Sequence, residues 1–221
     1  AVLKDFLGDA KLKSLQSDGY ICYMYLDDDL IDIEHLCCLA HVRAKLERAE
    51  RMGCKEASSP MSKIRKLYKR EDLYVEKGYD AEKIKEMRND EYTRGIVDEL
   101  QNEMFDLMAN KMDKLPKLMQ QALNYLHKFW KQVFAYRNDG EYSIDNLAAE
   151  RAIRPQTIQR KGSLFLGSVQ GALRSAMYNT FIQTCKQVGV SFRQYFKALL
   201  KAVKSGRTDY ENLLPMTICL N

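Results

Sequence analysis

The stretch Lys13-Ser14-Leu15-Gln16-Ser17-Asp18-Gly19 predicts a short β-strand that stops at an Asp-Gly turn. A second apolar run, from Ile31 to Leu39, predicts a buried strand. Helical spacing of apolar residues predicts a helix over Val2 to Leu7, and Val42 to Arg51 is rich in helix formers. The order helix, strand, helix, strand, helix predicts an α/β unit with a parallel pair of strands.

The middle of the chain, from about 58 to 136, has helical periodicity throughout. Ser59 before Pro60 predicts a helix start, and Asp80 predicts the cap of a second helical run that reaches Met108. Pro116 opens a third helix, whose apolar face is formed by Leu118, Ala122, Tyr125, Leu126, Phe129 and Val133. Asn138-Asp139-Gly140 predicts the turn that ends this block.

The last part of the chain is predicted to be helical as well. Asp145 or Asn146 is expected to cap a helix that ends before Pro155. A loop and two amphipathic helices are predicted over 162–168, 171–188 and 191–204.

Charge is distributed unevenly along the chain, although the net charge is only +5. Between Arg151 and Arg207 there are eleven Lys and Arg residues and no Asp or Glu. The first 150 residues hold 24 basic and 28 acidic residues. A basic region of this kind favours contact with a polyanion such as nucleic acid, and solvated helix faces that lack acids are the alternative.

Composition narrows the class of protein. No run approaches the roughly 20 apolar residues that span a bilayer, and charges interrupt the only apolar run near Ala1, so neither a membrane protein nor a signal peptide is expected. The six cysteines are irregularly spaced, which indicates a reduced, cytoplasmic protein. Glycine-rich phosphate loops, GxSxG elbows and HExxH motifs are absent from the sequence.

Two carboxylates are candidates for chemistry. Asp18 lies where a predicted strand ends in a turn, although most Asp-Gly pairs are simply turns. Glu150 shares a short helix with Arg151 and Arg154, an arrangement that suits either a surface ion-pair cluster or a carboxylate ligand to Mg²⁺ beside cations that hold a phosphodiester. The segment 35–41 contains two His and two Cys residues but lacks the spacing of a zinc site, so buried cysteines are the better explanation.

Four ordered blocks carry a resemblance to a known family. The first is Leu15-Gln16-Ser17-Asp18-Gly19-Tyr20, and the second is Cys38-Leu39-Ala40-His41-Val42-Arg43-Ala44-Lys45-Leu46. The third runs from Leu115-Pro116 to Asp139-Gly140. The fourth runs from Ile144-Asp145-Asn146 through Ala149-Glu150-Arg151-Ala152-Ile153-Arg154-Pro155 and Arg160-Lys161 to Leu164-Phe165 and Gly167-Ser168. In this order the blocks resemble the insertion sequence 66 family of transposases, and the last block is the most specific.

The resemblance implies a ribonuclease H-like fold with a DDE active site, in which two Asp and one Glu bind two Mg²⁺ or Mn²⁺ ions. Asp18 corresponds to the second acid and Glu150 to the third, and both are expected to be catalytic and metal-binding. The resemblance also implies contacts to DNA phosphates, which we assign to Arg151, Arg154, Arg160, Lys161, His41 and Arg43. The implied activity is metal-dependent DNA cleavage and strand transfer.

The expected fold is therefore α/β but predominantly helical, with three parts. Residues 1–55 form a partial ribonuclease H-like core whose first strands are missing, 56–137 a large helical insertion, and 138–221 the helix of the catalytic Glu and a basic helical C-terminal part. The expected partners are transposon ends and target DNA, bound by a homo-oligomer, and no membrane. The expected location is the bacterial cytoplasm, in association with the nucleoid.

The sequence departs from the family pattern at several positions. The first Asp is expected upstream of Ala1, so the chain by itself is expected to be inactive. Ala44, Leu147 and Gly162-Ser163 replace residues that are more usual in the family. Two other hypotheses therefore stay open: a catalytically inactive transposase remnant that binds DNA or a partner protein, and a helical scaffold unrelated to DNA.

Overall fold

The computed structural model describes residues 11–19, 33–163 and 165–219. The chain divides into two compact units, and the boundary along the sequence lies between Leu147 and Ala148. The helix predicted over Val2 to Leu7, and any element between the two predicted strands, lie outside the described residues. The predicted three-part division of the chain at 55 and 137 stays a prediction.

Two short strands form a parallel pair in the first unit, as predicted. β1 is Ser14–Ser17 and β2 is Glu34–Cys37, with Ser14 opposite Glu34 and Ser17 opposite Cys37. The backbone N–H of Cys38 donates to the carbonyl of Ser17 over 2.9 Å and extends the pairing by one step. Both strands therefore end at the same edge, directly after Ser17 and Cys37.

Five α-helices complete the described part of the first unit. They are α1 (Leu39–Arg51), α2 (Ser58–Glu76), α3 (Ala81–Arg88), α4 (Glu91–Asn110) and α5 (Lys117–Phe134). Short 3₁₀ turns lie at Lys55–Ala57, Met112–Lys114 and Ala135–Asn138. The described residues are thus predominantly helical, in agreement with the sequence, whereas a complete ribonuclease H-like sheet is not seen in them.

The core of the first unit is built from apolar side chains that recur every three or four residues along the helices. Its fully buried members include Leu46, Ile64, Leu100, Met119 and Leu123. α5 packs against both α1 and β2, so the long helix closes one side of the strand pair. This packing places the middle of α5 beside the end of β1.

Three predicted helix boundaries in the sequence are wrong. The run after Asp80 is two helices, because Asp90 caps a new helix by accepting the Thr93 N–H over 2.7 Å. α2 begins at Ser58 without a side-chain cap, and the Ser59 hydroxyl donates instead to Glu103 over 3.0 Å. The helix expected to end before Pro155 continues through it.

The second unit contains three helices among its described residues. They are α6 (Leu147–Ser163), whose first residue belongs to the first unit, α7 (Val169–Gln187) and α8 (Phe192–Lys204), and a 3₁₀ turn follows at Tyr210–Leu213. The two predicted C-terminal helices are confirmed, and Ser168 caps α7 by accepting the Gly171 N–H over 3.0 Å. No helix in the described ranges is long and apolar enough to cross a bilayer.

Candidate functional site

Asp18 directly follows β1, at the edge where both strands end, and its side chain is exposed. The preceding Ser17 is buried, and its hydroxyl is hydrogen-bonded to Nε2 of His35 over 2.8 Å. The same hydroxyl accepts the N–H of Gly19 over 3.2 Å. Ser17 therefore fixes the turn that presents Asp18 to solvent.

Tyr125 on α5 holds this turn from the other side. Its hydroxyl donates to the main-chain carbonyl of Asp18 over 3.1 Å. Gly19 has a φ of +80°, and a Cβ atom there would lie 2.8 Å from the Tyr125 ring, so the backbone and the ring are in close contact. Burial, with a further contribution from the thiols of Cys37 and Cys38, raises the pKa of Tyr125, so its hydroxyl stays protonated and remains a donor.

The segment that precedes α6 lies against the ends of both strands. The Leu39 N–H donates to the carbonyl of Ile144 over 3.2 Å, and the Asn146 N–H donates to Sγ of Cys38 over 3.4 Å. The amide of Gln16 donates to the carbonyl of Ser143 over 3.0 Å. Residues 143–146 are therefore fixed to the edge at which Asp18 is exposed.

Asp145 links this segment to α2 and to the start of α6. Its Oδ2 accepts the Tyr68 hydroxyl over 3.0 Å, and its Oδ1 accepts the Leu147 N–H over 3.1 Å. Burial and the nearby Asp145 charge raise the pKa of Tyr68, so that hydroxyl also remains a donor. Asp145 therefore accepts the first N–H of α6, and the prediction that Asp145 or Asn146 caps this helix stays a prediction.

His41 and Arg43, two predicted DNA contacts, lie on α1 just after β2 and are half-buried. The guanidinium of Arg43 stands over the Tyr68 ring, 4.7 Å from its centroid. Arg43 thus packs against the tyrosine that binds Asp145. This contact gives it a structural role, and its role toward DNA stays a prediction.

The remaining predicted site residues lie on α6 in the second unit. The intervals between Glu150, Arg154 and Lys161 are four and seven residues, which put all three on one face of the helix. Arg160 lies roughly 100° around the helix axis from Lys161 and so belongs to another face. Glu150 is half-buried, whereas Arg151, Arg154, Arg160 and Lys161 are all exposed.

Sequence reasoning missed Tyr68 and Tyr125 as supports of the site. Tyr125 was assigned only to the apolar face of a helix, because helical spacing does not show which side chain donates a hydrogen bond at its tip. The contact between Tyr125 and Asp18 joins residues that are 107 positions apart. Within the described ranges, no group of three or more His, Cys, Asp or Glu side chains is arranged to hold a metal ion.

Comparison with known proteins assigns the chain to the transposases. The family described as "Transposase IS66 family" matches residues 1–174, which is most of the chain. The chain belongs to this family. The match includes the edge that carries Asp18 and the whole of α6, and it ends within α7.

Two proteins of Sinorhizobium fredii (strain NBRC 101917 / NGR234) are similar to the chain. The uncharacterized protein y4qI is 31% identical over 214 residues, which are 91% of this chain and 38% of the relative. The uncharacterized protein y4jD is 26% identical over 211 residues, which are 91% of this chain and 40% of the relative. The chain thus spans about two-fifths of the length of these relatives. No solved structure matches it.

Proposed function

We propose that the chain is the part of a transposase that cleaves DNA and transfers strands, with a DDE site on a ribonuclease H-like core. The main support is the exposed position of Asp18 at the common end of two parallel strands, where α/β folds carry their reactive groups. Residues 143–146 are hydrogen-bonded to this edge. Glu150 is assigned to the same active site by the family resemblance. Membership of a transposase family supplies the DNA substrate.

The donor chemistry of the proposed site fits Mg²⁺ or Mn²⁺. Both ions prefer oxygen ligands, and a Mg²⁺ site in proteins often has only one or two carboxylates, with water and substrate phosphate completing the coordination. Asp18 and Glu150 would hold the metal, and the family resemblance implies that one further Asp completes the set of carboxylate ligands. Bound metal would stabilise the charge that develops on the oxygens of the reacting phosphate.

The chain's own residues would position the substrate. Arg154 and Lys161 lie on the same face of α6 as Glu150, so cations on this face would bind the phosphates next to the bond that breaks. Tyr125 and Ser17 would hold the Asp18 turn in place while DNA binds. In this proposal transposon ends and target DNA are bound by a homo-oligomer.

The test uses the full-length protein that contains this chain. Asp18→Asn and Glu150→Gln are each expected to abolish Mg²⁺-dependent cleavage of the element's ends, because a neutral amide is a much poorer metal ligand than a carboxylate. Glu99→Gln, at an exposed position of α4, is the matched control and should cleave normally. Cleavage at the normal rate by either site variant would contradict the assignment of that residue as a metal ligand.

The same assay separates the enzyme from the inactive remnant. A full-length protein that binds the element's ends but does not cleave them in Mg²⁺ or Mn²⁺ would be a DNA-binding remnant. A protein with no salt-dependent affinity for DNA would fit the unrelated scaffold, because contacts to several phosphates weaken steeply as salt rises.

A further inference from the structure

α7 and α8 are joined by a four-residue turn, Val188 to Ser191, which contains Gly189. The Val190 N–H donates back to the carbonyl of Cys185 over 2.8 Å, so the turn is closed onto the end of α7. Two helices joined by a turn of three or four residues with a glycine have the connection of a helix-turn-helix motif.

One face of α8 is fixed against α7 by aromatic side chains. Tyr195 and Cys185 are fully buried, and the Tyr195 ring lies 5.6 Å from the ring of Phe181. Phe196 meets Tyr178 edge to face, with 6.0 Å between the ring centroids. The Tyr195 hydroxyl also donates to the carbonyl of Leu213 over 3.1 Å. These contacts set the rotation of α8 about its axis and so determine which side chains point outward.

The outward face of α8 is basic. Its exposed polar side chains are Arg193, Gln194, Lys197, Lys201 and Lys204. Arg193, Lys197 and Lys201 follow at intervals of four residues, so they form a row along one side of the helix. No Asp or Glu occurs between Arg151 and Arg207, so neither α7, the turn nor α8 contributes a carboxylate that would offset this charge.

We propose that α7, the turn and α8 form a DNA-binding helix-turn-helix, with α8 lying in the major groove of duplex DNA. The major groove admits an α-helix, and the N-terminal residues of a recognition helix contact base edges. Arg193 and Gln194 are in the first turn, and these residue types form two-point hydrogen bonds with guanine and adenine. Lys197, Lys201 and Lys204 bind phosphates. The choice of DNA as ligand rests on the proposed transposase function.

The packing of the aromatic side chains favours DNA over an anionic membrane. A basic amphipathic helix that lies on a bilayer inserts its large apolar side chains into it. In this unit Phe196 packs on Tyr178 of α7, and Phe192 stacks on Phe196 with 5.5 Å between the ring centroids. The aromatic side chains of α8 are therefore buried or half-buried in intramolecular packing, and only the smaller apolar side chains of Leu200 and Val203 are exposed beside the cations of this helix.

The phosphate contacts are tested by fluorescence anisotropy with the 221-residue chain and a labelled 20-base-pair duplex over a series of salt concentrations. Lys197→Gln combined with Lys201→Gln is expected to weaken binding by about 10- to 100-fold at 0.1 M salt. The slope of log affinity against log salt concentration should become shallower by the amount that corresponds to about two phosphate contacts. The matched control is Lys66→Gln combined with Lys69→Gln, which removes the same charge from exposed positions on α2. Equal weakening by the two pairs would overturn the proposal.

Base reading is tested by selection from a randomised duplex pool. Arg193→Ala and Gln194→Ala are each expected to lose preference at one base position of the site that the wild-type chain selects, with little change in salt dependence. Unchanged preference in both variants would overturn the assignment of α8 as the recognition helix. Tighter binding to phosphatidylserine vesicles than to the duplex at equal salt would overturn the choice of DNA.

The two proposals fail in different ways. Asp18→Asn and Glu150→Gln test cleavage by the full-length protein, whereas the α8 variants test binding of the duplex. Loss of cleavage in the Asp18 and Glu150 variants, together with loss of duplex binding in the α8 variants, would support both proposals. Absence of cleavage in the wild-type protein together with binding that depends on α8 would remove only the catalytic proposal.

Discussion

The guanidinium of Arg88 forms a bidentate ion pair with the carboxylate of Glu71, with N–O distances of 3.0 and 2.6 Å. Arg88 is buried, and its remaining N–H groups donate to the carbonyls of Tyr136, Asp139 and Tyr142. One side chain therefore joins α2, α3 and the turn after α5. That turn leads into residues 143–146, which contact the strand ends, so this ion pair supports the candidate site from a distance.

Arg88→Met is expected to destabilise the first unit by about 3–5 kcal/mol, because it leaves a partly buried carboxylate and three carbonyls without their donor. The measurement is the free energy of unfolding in urea. Arg94→Met, at an exposed position of α4, is the control and should change stability by less than about 0.5 kcal/mol. Equal stability of the two variants would contradict the role given to Arg88.

Gly140→Ala is expected to destabilise the fold by about 1–3 kcal/mol, because an added methyl group must displace packed backbone. A Cβ atom at this position would overlap the carbonyl oxygen of Ala81 at the start of α3. Gly95→Ala on α4 is the matched control, since a Cβ atom there meets nothing within 4 Å. The control should be stabilised by roughly 0.5–1 kcal/mol, as expected for an alanine within a helix. In thermal melting, the melting temperature should fall for Gly140→Ala and rise for Gly95→Ala.

Asp90 should make the stability of the first unit depend on acidic pH. Burial by itself raises the pKa of this carboxyl, but the hydrogen bonds from Thr93 and the charge of Arg70 outweigh burial, so the net pKa is lowered. A carboxyl whose pKa is lower in the folded state contributes stability that is present above its unfolded pKa of about 3.9 and is lost as the pH falls through the folded value. Unfolding free energies measured below about pH 5 should therefore decline with falling pH.

The variant Asp90→Asn isolates the charge, because Asn caps helices about as well as Asp. We expect a flatter dependence of stability on pH below about pH 5 than in the wild-type protein. Arg70→Met removes the cationic partner and should flatten the curve in the same direction. If the free energy of unfolding of both variants depended on pH as steeply as that of the wild-type protein, the ion pair of Asp90 and Arg70 would not control the loss of stability in acid.

Tyr125→Phe tests the support of Asp18 and rests on the proposed function. Loss of the hydrogen bond to the Asp18 carbonyl should lower cleavage by about tenfold, as is typical when a residue that orients a metal ligand is removed. Stability should fall by only about 1 kcal/mol. Tyr92→Phe, at an exposed site on α4, should leave cleavage unchanged. Equal cleavage rates in the two variants would argue against a positioning role for Tyr125.

Local sequence signals predicted the elements of this fold better than their ends. The apolar run in β2 and the three- to four-residue spacing along α5 were sufficient, because burial of one face imposes those patterns. The break at Asp90 was missed because apolar residues continue at helical spacing on both sides of it. Only the side-chain bond to the Thr93 N–H marks the new helix, and this bond requires the chain to turn there first.

The site was less predictable than the fold. The position of Asp18 at a strand end follows from the strand prediction and the Asp-Gly turn, so local sequence was informative there. The partners that hold the turn are remote in sequence, and a tyrosine on an apolar helix face gives no sign of where its hydroxyl points. Arg43 shows another case, because the family resemblance predicts a DNA contact and gives no sign that the guanidinium also packs on the Tyr68 ring.

Pro155 lies inside α6, where a proline has no N–H to donate to the carbonyl of Arg151 four residues earlier. The ladder of exchangeable amide protons is therefore interrupted between the turn that carries Glu150 and the turn that carries Arg160 and Lys161. The two halves of the helix can open separately at a lower cost than a continuous ladder would allow. In deuterium exchange they should take up label at different rates, and Pro155→Ala should merge them into one cooperative segment.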